Sequence, residues 1–340
     1  MEATKRTPSH LVTLLIVAIT IIGIAVVASD WQDMSQVLAQ ADWRYIPVVL
    51  WFTFLSYLCY SYGYAFVCEL LEIKLHKREL AEICFISTVV NHVLTTAGIA
   101  GYSLRYLLMK MYNITFKDVI TSSFLHYYLT SLDMLSFLPL TFIYLLLNAD
   151  VPKGVAITLG LMTLVFGVVL VLTTGMVIFP SRRYPIIKLL GRLGEKILHR
   201  DYLPWLTQLD ETLTCATLAI RRRPVLLGWI MLLTLVDFIC SITAMGFVFE
   251  ALGPAVGVPA LVTGYVIGIM AGLLSMVPGG FGVQEGSMAG IYAMLNIKLE
   301  QALLAAILFR ILYYLVPYFL ILPFYQRLLR KAKQQVEIDA

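Results

Sequence analysis

The residues that could do chemistry in this 340-residue sequence sit where charge is costly. Arg105, Asp133, Asp237, Glu285 and Arg310 all fall inside long apolar stretches. On insertion scales a charge near the bilayer centre costs at least about 2.5–3.5 kcal/mol, so such groups usually face a bundle interior, pair with one another or line a pathway. Arg310 is the tenth residue of the stretch 301–325, Asp133 the fifteenth of 119–148 and Asp237 the fourteenth of 224–250. Each therefore lies about 15–20 Å from one end of its helix. Their neighbours form stripes at helical spacing: Arg310, Tyr313, Tyr314 and Pro317 on one helix, Ser123, His126, Thr130 and Asp133 on a second, Thr234, Asp237 and Ser241 on a third. Three polar seams of this kind can enclose a wet cavity. The guanidinium offers a planar fork of donors suited to phosphate. The aspartates could pair with Arg310 as helix–helix glue or carry protons. His92 and His126 are expected to make structural hydrogen bonds.

Two glycine-rich breaks lie beside these charges. Region 81–112 is interrupted at Ala97-Gly98-Ile99-Ala100-Gly101, and region 259–296 at Pro278-Gly279-Gly280-Phe281-Gly282. Beyond the breaks, 102–112 and 283–296 give helices of only about 16 and 21 Å, short of a hydrocarbon core of about 30 Å. Both regions therefore predict re-entrant hairpins, with glycine permitting the reversal and the broken backbone buried in protein or facing a cavity. A helix starting near each tip would point its partly positive N-terminus inward, and with Arg105 and Arg310 it would favour an anionic ligand. Asn113-Ile114-Thr115-Phe116-Lys117 after the first region matches Asn296-Ile297-Lys298-Leu299-Glu300 after the second, and Tyr127-Tyr128 matches Tyr313-Tyr314. This suggests an inverted repeat, a frequent transporter plan.

The elements that must hold these groups follow from composition. The chain is 60% hydrophobic and 14% charged, with a mean hydropathy of +0.84, against about 45–50% and about 25% for a soluble domain. Stretches 11–29, 46–71, 119–148, 154–180, 224–250 and 301–325 are long enough to span a membrane. The expected fold is all-α: a polytopic integral membrane helix bundle, one domain over 1–330, with a cytoplasmic tail at 331–340. The apolar run Leu11–Ala28 exceeds the core of about 7–15 residues in a cleaved signal peptide, so a retained first helix is expected. Of the 25 lysines and arginines, 20 fall in segments that place both termini in the cytoplasm, and only Arg44, Lys153 and Lys298 fall outside. Segment 181–223 alternates Ile186, Ile187, Leu190, Leu193 and Ile197 with basic residues and ends at Arg221-Arg222-Arg223. It reads as an amphipathic stretch on the inner membrane surface. The five cysteines show no metal or disulfide spacing and are expected to be inert.

Pro278-Gly279-Gly280-Phe281-Gly282-Val283-Gln284-Glu285-Gly286, followed by Arg310-Ile311-Leu312-Tyr313-Tyr314-Leu315-Val316-Pro317, resembles the lysylphosphatidylglycerol synthase transmembrane-region family, also called the flippase-like inner-membrane family. Gly98-Ile99-Ala100-Gly101 with Arg105-Tyr106 is similar to its first glycine motif, and the resemblance runs over nearly the whole chain. It implies an integral domain of the kind that moves aminoacylated phosphatidylglycerol to the outer leaflet in bifunctional synthase–flippases, in a bacterial-type cytoplasmic membrane. Relatives are associated with other lipids and lipid-linked glycans. It carries over Gly279, Gly280, Gly282, Glu285, Arg310 and Tyr314 as functional positions. Some relatives have a glutamate where this chain has Tyr102, so its two halves are not charge-symmetric. Full-length aminoacyl-lipid synthases also carry a large soluble transferase domain. This sequence ends at Ala340 soon after its last helix, and it is expected not to synthesise the aminoacyl lipid.

The expected function is therefore a lipid flippase or transporter for an anionic phospholipid or lipid-linked substrate, with no cofactor. The candidate binding residues are Arg310, Arg105, Glu285, Gly279, Gly280, Gly282, Tyr313, Tyr314, Asp133 and Asp237. No HExxH, Walker-type GxxxxGK[ST] or His/Cys cluster is present, so an enzyme is not expected. The alternatives are an accessory membrane subunit for a lipid- or glycan-modifying synthase and, behind it, a lipid-modifying transferase. The expected partners are a lipid, the membrane, and a synthase or a second copy of the chain, with no nucleic acid.

Overall fold

The computed structural model describes residues 31–94, 99–179, 203–275 and 277–322, with residues 183, 185, 325 and 326 besides. The expected first span at 11–29, the break residues 95–98, most of 181–202 and the tail 331–340 lie outside the described residues. Among the described residues all regular structure is helical.

A short helix α1 (Trp31–Ala39) and a 3-10 turn lead into α2 (Ile46–Leu70). A helical pair, α3 (Lys77–Leu94) and α4 (Ile99–Lys110), precedes the long α5 (Phe116–Asn148) and α6 (Lys153–Ile178). Then come α7 (Leu203–Arg222) and α8 (Pro224–Leu252). A second pair, α9 (Val258–Leu274) and α10 (Val283–Met294), precedes α11 (Leu299–Arg310), whose course continues through a π-helical turn at Ile311–Leu315 to Leu322.

Helices α2, α5, α6, α8 and α11 with its continuation form spans of 24 to 33 residues, apolar enough to cross a membrane. Even the shortest, at about 1.5 Å per residue, exceeds a hydrocarbon core of about 30 Å. Five of the six stretches expected from hydropathy are thus helices of spanning length. By contrast α4 and α10 have 12 residues each, about 18 Å.

Local chemistry sets the ends. The Thr115 hydroxyl caps α5 by accepting from the Asp118 N–H at 3.2 Å. Pro224 opens α8, and Gly253, at φ +105°, closes it. Both short second helices end alike. Asn113 and Asn296 take left-handed φ of 58° and 66°. The N–H of Ile114 reaches the carbonyl of Met109 at 3.3 Å, and that of Ile297 reaches Tyr292 at 3.1 Å. This is the Schellman stop, with asparagine standing where glycine is commonest.

Helices α2 and α8 pack along most of their lengths and form the axis of the bundle. Around them α9 lies against α10 and α5, α11 against α10 and α8, and α3 against α2 and α4. The core between them holds Tyr64, Cys68, Phe249, Tyr292 and Phe309, all but inaccessible. Two contacts are possible only because glycine lies opposite. A Cβ added at Gly264 would stand 2.3 Å from the Tyr292 ring, and one at Gly268 2.2 Å from Met288 Cγ.

The outer side of α5 and α6 is apolar and uncovered. Only 6% of the most hydropathic window of α6 is buried, and Leu147, Leu164 and Val171 stand free. Such a surface belongs against hydrocarbon. Within the 181–223 segment the described helix is α7, tied to α6 by the buried Arg183. Its Nε donates to the Met176 carbonyl at 2.9 Å, and its Nη atoms reach Asp210, Thr214 and Thr217.

Candidate functional site

The sequence-derived candidates fall into three buried clusters, two of them joined where the turn between α9 and α10 meets the end of α3. The first forms at the tip of the second hairpin. Gly279, Gly280 and Gly282 have φ of +62°, +66° and +78°, a left-handed run that side chains resist. It turns the chain from the end of α9 into α10. Glu285, in the first turn of α10, accepts from the Gly282 N–H at 2.7 Å, satisfying an otherwise orphaned helix donor. Its other oxygen pairs with Arg310 Nε. Arg310 Nη1 donates to the Gly279 carbonyl at 2.9 Å, and Nη2 to Gln284 Oε1 at 3.0 Å. Phe281 and Tyr314 lie against the guanidinium at 4.5 and 5.4 Å, and Gln284 donates to the Tyr314 hydroxyl at 3.3 Å.

Arg310 is therefore not paired with Asp133 or Asp237, as the interhelical-glue reading has it. Its counterion is Glu285, because the hairpin brings the start of α10 beside α11. The positive end of α10 leans on the same carboxylate, so most of the positive charge at this tip is offset within the chain.

The second cluster surrounds Arg105 on α4. This side chain is 3% exposed. Nε donates to Ser87 Oγ at 3.1 Å, Nη1 to Ser123 Oγ at 3.1 Å, and Nη2 to Cys84 Sγ at 3.3 Å and Thr88 Oγ1 at 3.4 Å. The Tyr64 ring lies 4.2 Å from the guanidinium carbon and Tyr102 5.8 Å. Among the described residues no carboxylate pairs with it. Cys84 thus contributes a sulfur acceptor, although the cysteines are expected to be inert. Gly101 was expected to lie in the break, but it sits inside α4. A Cβ there would meet Asn91 Cβ at 2.5 Å and the Ser87 carbonyl oxygen at 2.8 Å. Its role is close approach of α3 and α4, the approach that brings Arg105 to Ser87. His126, fully buried beside Tyr60 and Tyr64, has no hydrogen bond of good geometry at either ring nitrogen; the Tyr60 backbone is the polar group next to it.

The third cluster joins α2, α8 and the π-helical turn. Ser56 donates to Asp237 Oδ1 and touches the Tyr313 hydroxyl. Ser241 lies 3.2 Å from Ser56 and 2.8 Å from Tyr313. Asp133 on α5 stands nearby, half-buried, with Oδ2 shielded from solvent and unpartnered. Neither aspartate has a cation partner among the described residues.

The clusters are linked. Tyr57 Oη is 2.8 Å from His92 Nδ1 and donates to the Tyr313 carbonyl at 3.2 Å. His92, near the end of α3, packs on Tyr314 at 5.0 Å, and a Cβ on Gly279 would lie 3.5 Å from the His92 carbonyl. The tip of the second hairpin thus rests on the end of α3. Adjacent on a π turn, Tyr314 faces the tip and Tyr313 the serines. Single-turn π segments are frequent at functional sites. Ser56, Tyr57, Ser87 and Gln284 belong to these clusters but were not singled out from sequence. Gln284 lies inside the Pro278–Gly286 motif, but an uncharged amide beside Glu285 carries no sequence signal of its own. No group of three or more metal-ligating side chains comes together among the described residues.

These features define a polytopic helical membrane protein with two paired short-helix units around a charged interior. A family model for the lysylphosphatidylglycerol synthase TM region matches residues 12–321. The chain belongs to that family, a membrane family related to lipid modification or transport. A search of curated proteins finds no match.

Proposed function

We propose that this chain carries an anionic lipid from one leaflet to the other, binding its headgroup phosphate at Arg105. One observation carries the reading: a guanidinium buried among neutral partners, with no counterion among the described residues. Burying an ion costs several kcal/mol unless opposite charge compensates it, and a phosphate would supply that charge in the fork geometry arginine favours. The rest of the fold is consistent with it. Helices too short to span, meeting inside a bundle of long ones, fit hairpins that enter from opposite faces. The lysine and arginine distribution orients both termini to the cytoplasm. The protein acts as a carrier and not an enzyme, in a cytoplasmic membrane of the bacterial type.

The test is reconstitution into vesicles with tail-labelled phosphatidylglycerol, phosphatidic acid and an isoprenyl phosphate, and phosphatidylcholine as the uncharged-overall comparison. The wild type should move at least one anionic lipid faster than phosphatidylcholine. Arg105→Ala should slow it at least about tenfold, the equivalent of one charged hydrogen bond of about 1.4 kcal/mol or more, and Arg105→Lys should retain part of the rate. No movement of any anionic lipid would refute the proposal. Inactivity alone combined with a stoichiometric co-purifying partner would favour the accessory-subunit reading.

A further inference from the structure

The carrier reading leaves the third cluster unused. It places two carboxylates, Asp237 and Asp133, in the middle third of long helices with no cation opposite them among the described residues. A carboxylate so placed must hold a proton or a metal cation, or stay ionised at high cost. The surroundings discriminate. A sodium ion needs a shell of several free oxygens. Here the Asp237 carbonyl accepts from Ser241 at 2.9 Å, and the Tyr313 carbonyl from Tyr57. The hydroxyls of Ser56, Ser241 and Tyr313 are bonded to one another. That arrangement supplies too few free ligands for a metal, but it is a chain of O–H groups along which a proton can pass.

We infer that Asp237 is a proton site, and that its protonation is coupled to headgroup binding at Arg105 so that lipid and proton cross together. This rests on the carrier reading. Filling the interior with an anion raises the cost of an ionised Asp237, and protonating Asp237 lowers the cost of the anion; by linkage each favours the other to the same degree. In the step itself a carboxylate oxygen gains a proton from the entry side and loses it on the exit side, with the hydroxyls of Ser56 and Tyr313 relaying it; no other bond changes. The titratable groups facing Asp237 are Tyr57, Cys59 and Tyr60 from α2, Cys84 from α3, Asp133 from α5, Tyr265 from α9, Tyr313 and Tyr314 from the π turn after α11, and Cys240 on its own helix. None of them is a lysine, arginine or histidine, so no neighbouring cation competes for the carboxylate.

The test uses the full chain in vesicles with tail-labelled phosphatidylglycerol, or whichever of phosphatidic acid and the isoprenyl phosphate moves faster. With one proton per lipid, a gradient of one pH unit should accumulate the lipid up to about tenfold in the leaflet on the alkaline side. In Asp237→Asn the ratio of rates with and without the gradient should fall to one, and Ser56→Ala, which keeps the carboxyl but breaks the relay, should reduce that ratio. Infrared difference spectra between acid and alkaline pH should show a protonated carboxyl band in the wild type that is missing in Asp237→Asn. A wild type indifferent to the gradient, an Asp237→Asn variant that still responds to it, or a sodium gradient that drives transport instead, would each overturn the inference. If the wild type moves no lipid, the carrier reading and the coupling fall together. The infrared band then decides the proton site alone, its loss in Asp237→Asn upholding the site and its persistence overturning it.

Discussion

In the second hairpin Glu285 does two jobs at once, closing the N-terminus of α10 and neutralising Arg310. In the first hairpin the matching position holds no acid. Asn113 and Asn296, which end the two short helices with the same left-handed stop, stand 183 positions apart. The same separation sets Tyr102 opposite Glu285. Tyr102 is partly exposed, and Arg105 beside it is left with hydroxyls, a thiol and two rings. Two short helices with the same left-handed stop therefore serve two electrostatic ends. Where acid and base are both supplied by the chain, the hairpin is latched to α11. Where only the base is supplied, the guanidinium has neutral partners and, among the described residues, no carboxylate opposite it.

The comparison can be broken most sharply at the latch. Glu285→Ala leaves Arg310 buried and unpaired and removes a helix cap. A loss of about 3–5 kcal/mol is expected, read as a large drop in the unfolding midpoint in detergent micelles. If Glu285→Ala unfolds like wild type, the pair is not a latch. Next is packing within each hairpin. Gly268→Ala drives a methyl into Met288 and Gly101→Ala drives one into the Ser87 carbonyl. Each should cost about 1–3 kcal/mol, the second more surely, because a backbone oxygen cannot swing aside as a methionine can. Tyr102→Glu would sharpen the contrast by giving the first hairpin the missing acid. It should raise the unfolding midpoint while slowing anionic-lipid movement about tenfold, the effect of about 1.4 kcal/mol of competition; a variant that transports unimpaired would show that Arg105 is not the headgroup contact. The smallest effects belong to the shared stops. Asn113→Gly and Asn296→Gly should each change stability by less than about 1 kcal/mol, and by similar amounts. A marked difference between the two would argue against a common plan.

The spans were legible because hydropathy over 20 or more residues leaves little choice in a bilayer. The buried cysteines Cys59, Cys68 and Cys240 were also legible as small hydrophobes, whereas Cys84 proves to accept a hydrogen bond from Arg105. The likeness of the two asparagine segments read as a faint similarity, and the backbone makes it a shared stop. Gly101 was misread because the sequence cannot tell a glycine that permits a reversal from one that permits two helices to touch. The partner of Arg310 was hidden because Glu285 comes to it only through the folding back of α10 on α11. The Ser56–Asp237–Tyr313 set was hidden for a stronger version of that reason: its contacts join residues 181 and 257 positions apart, and serine in a spanning helix carries no mark of what it faces.

The wide turn at Ile311–Leu315 holds one residue more than an ordinary helix would need for the same advance. Shortening the chain by one there would let the helix close its regular bonds, with the segments above and below still presenting their original sides to the bundle. The tyrosines of the turn would then shift in register against their partners, loosening the connection between the tip and the serine–aspartate set without disturbing the scaffold. Elsewhere in these long helices a one-residue deletion would rotate everything beyond it by about 100° and scramble the packing.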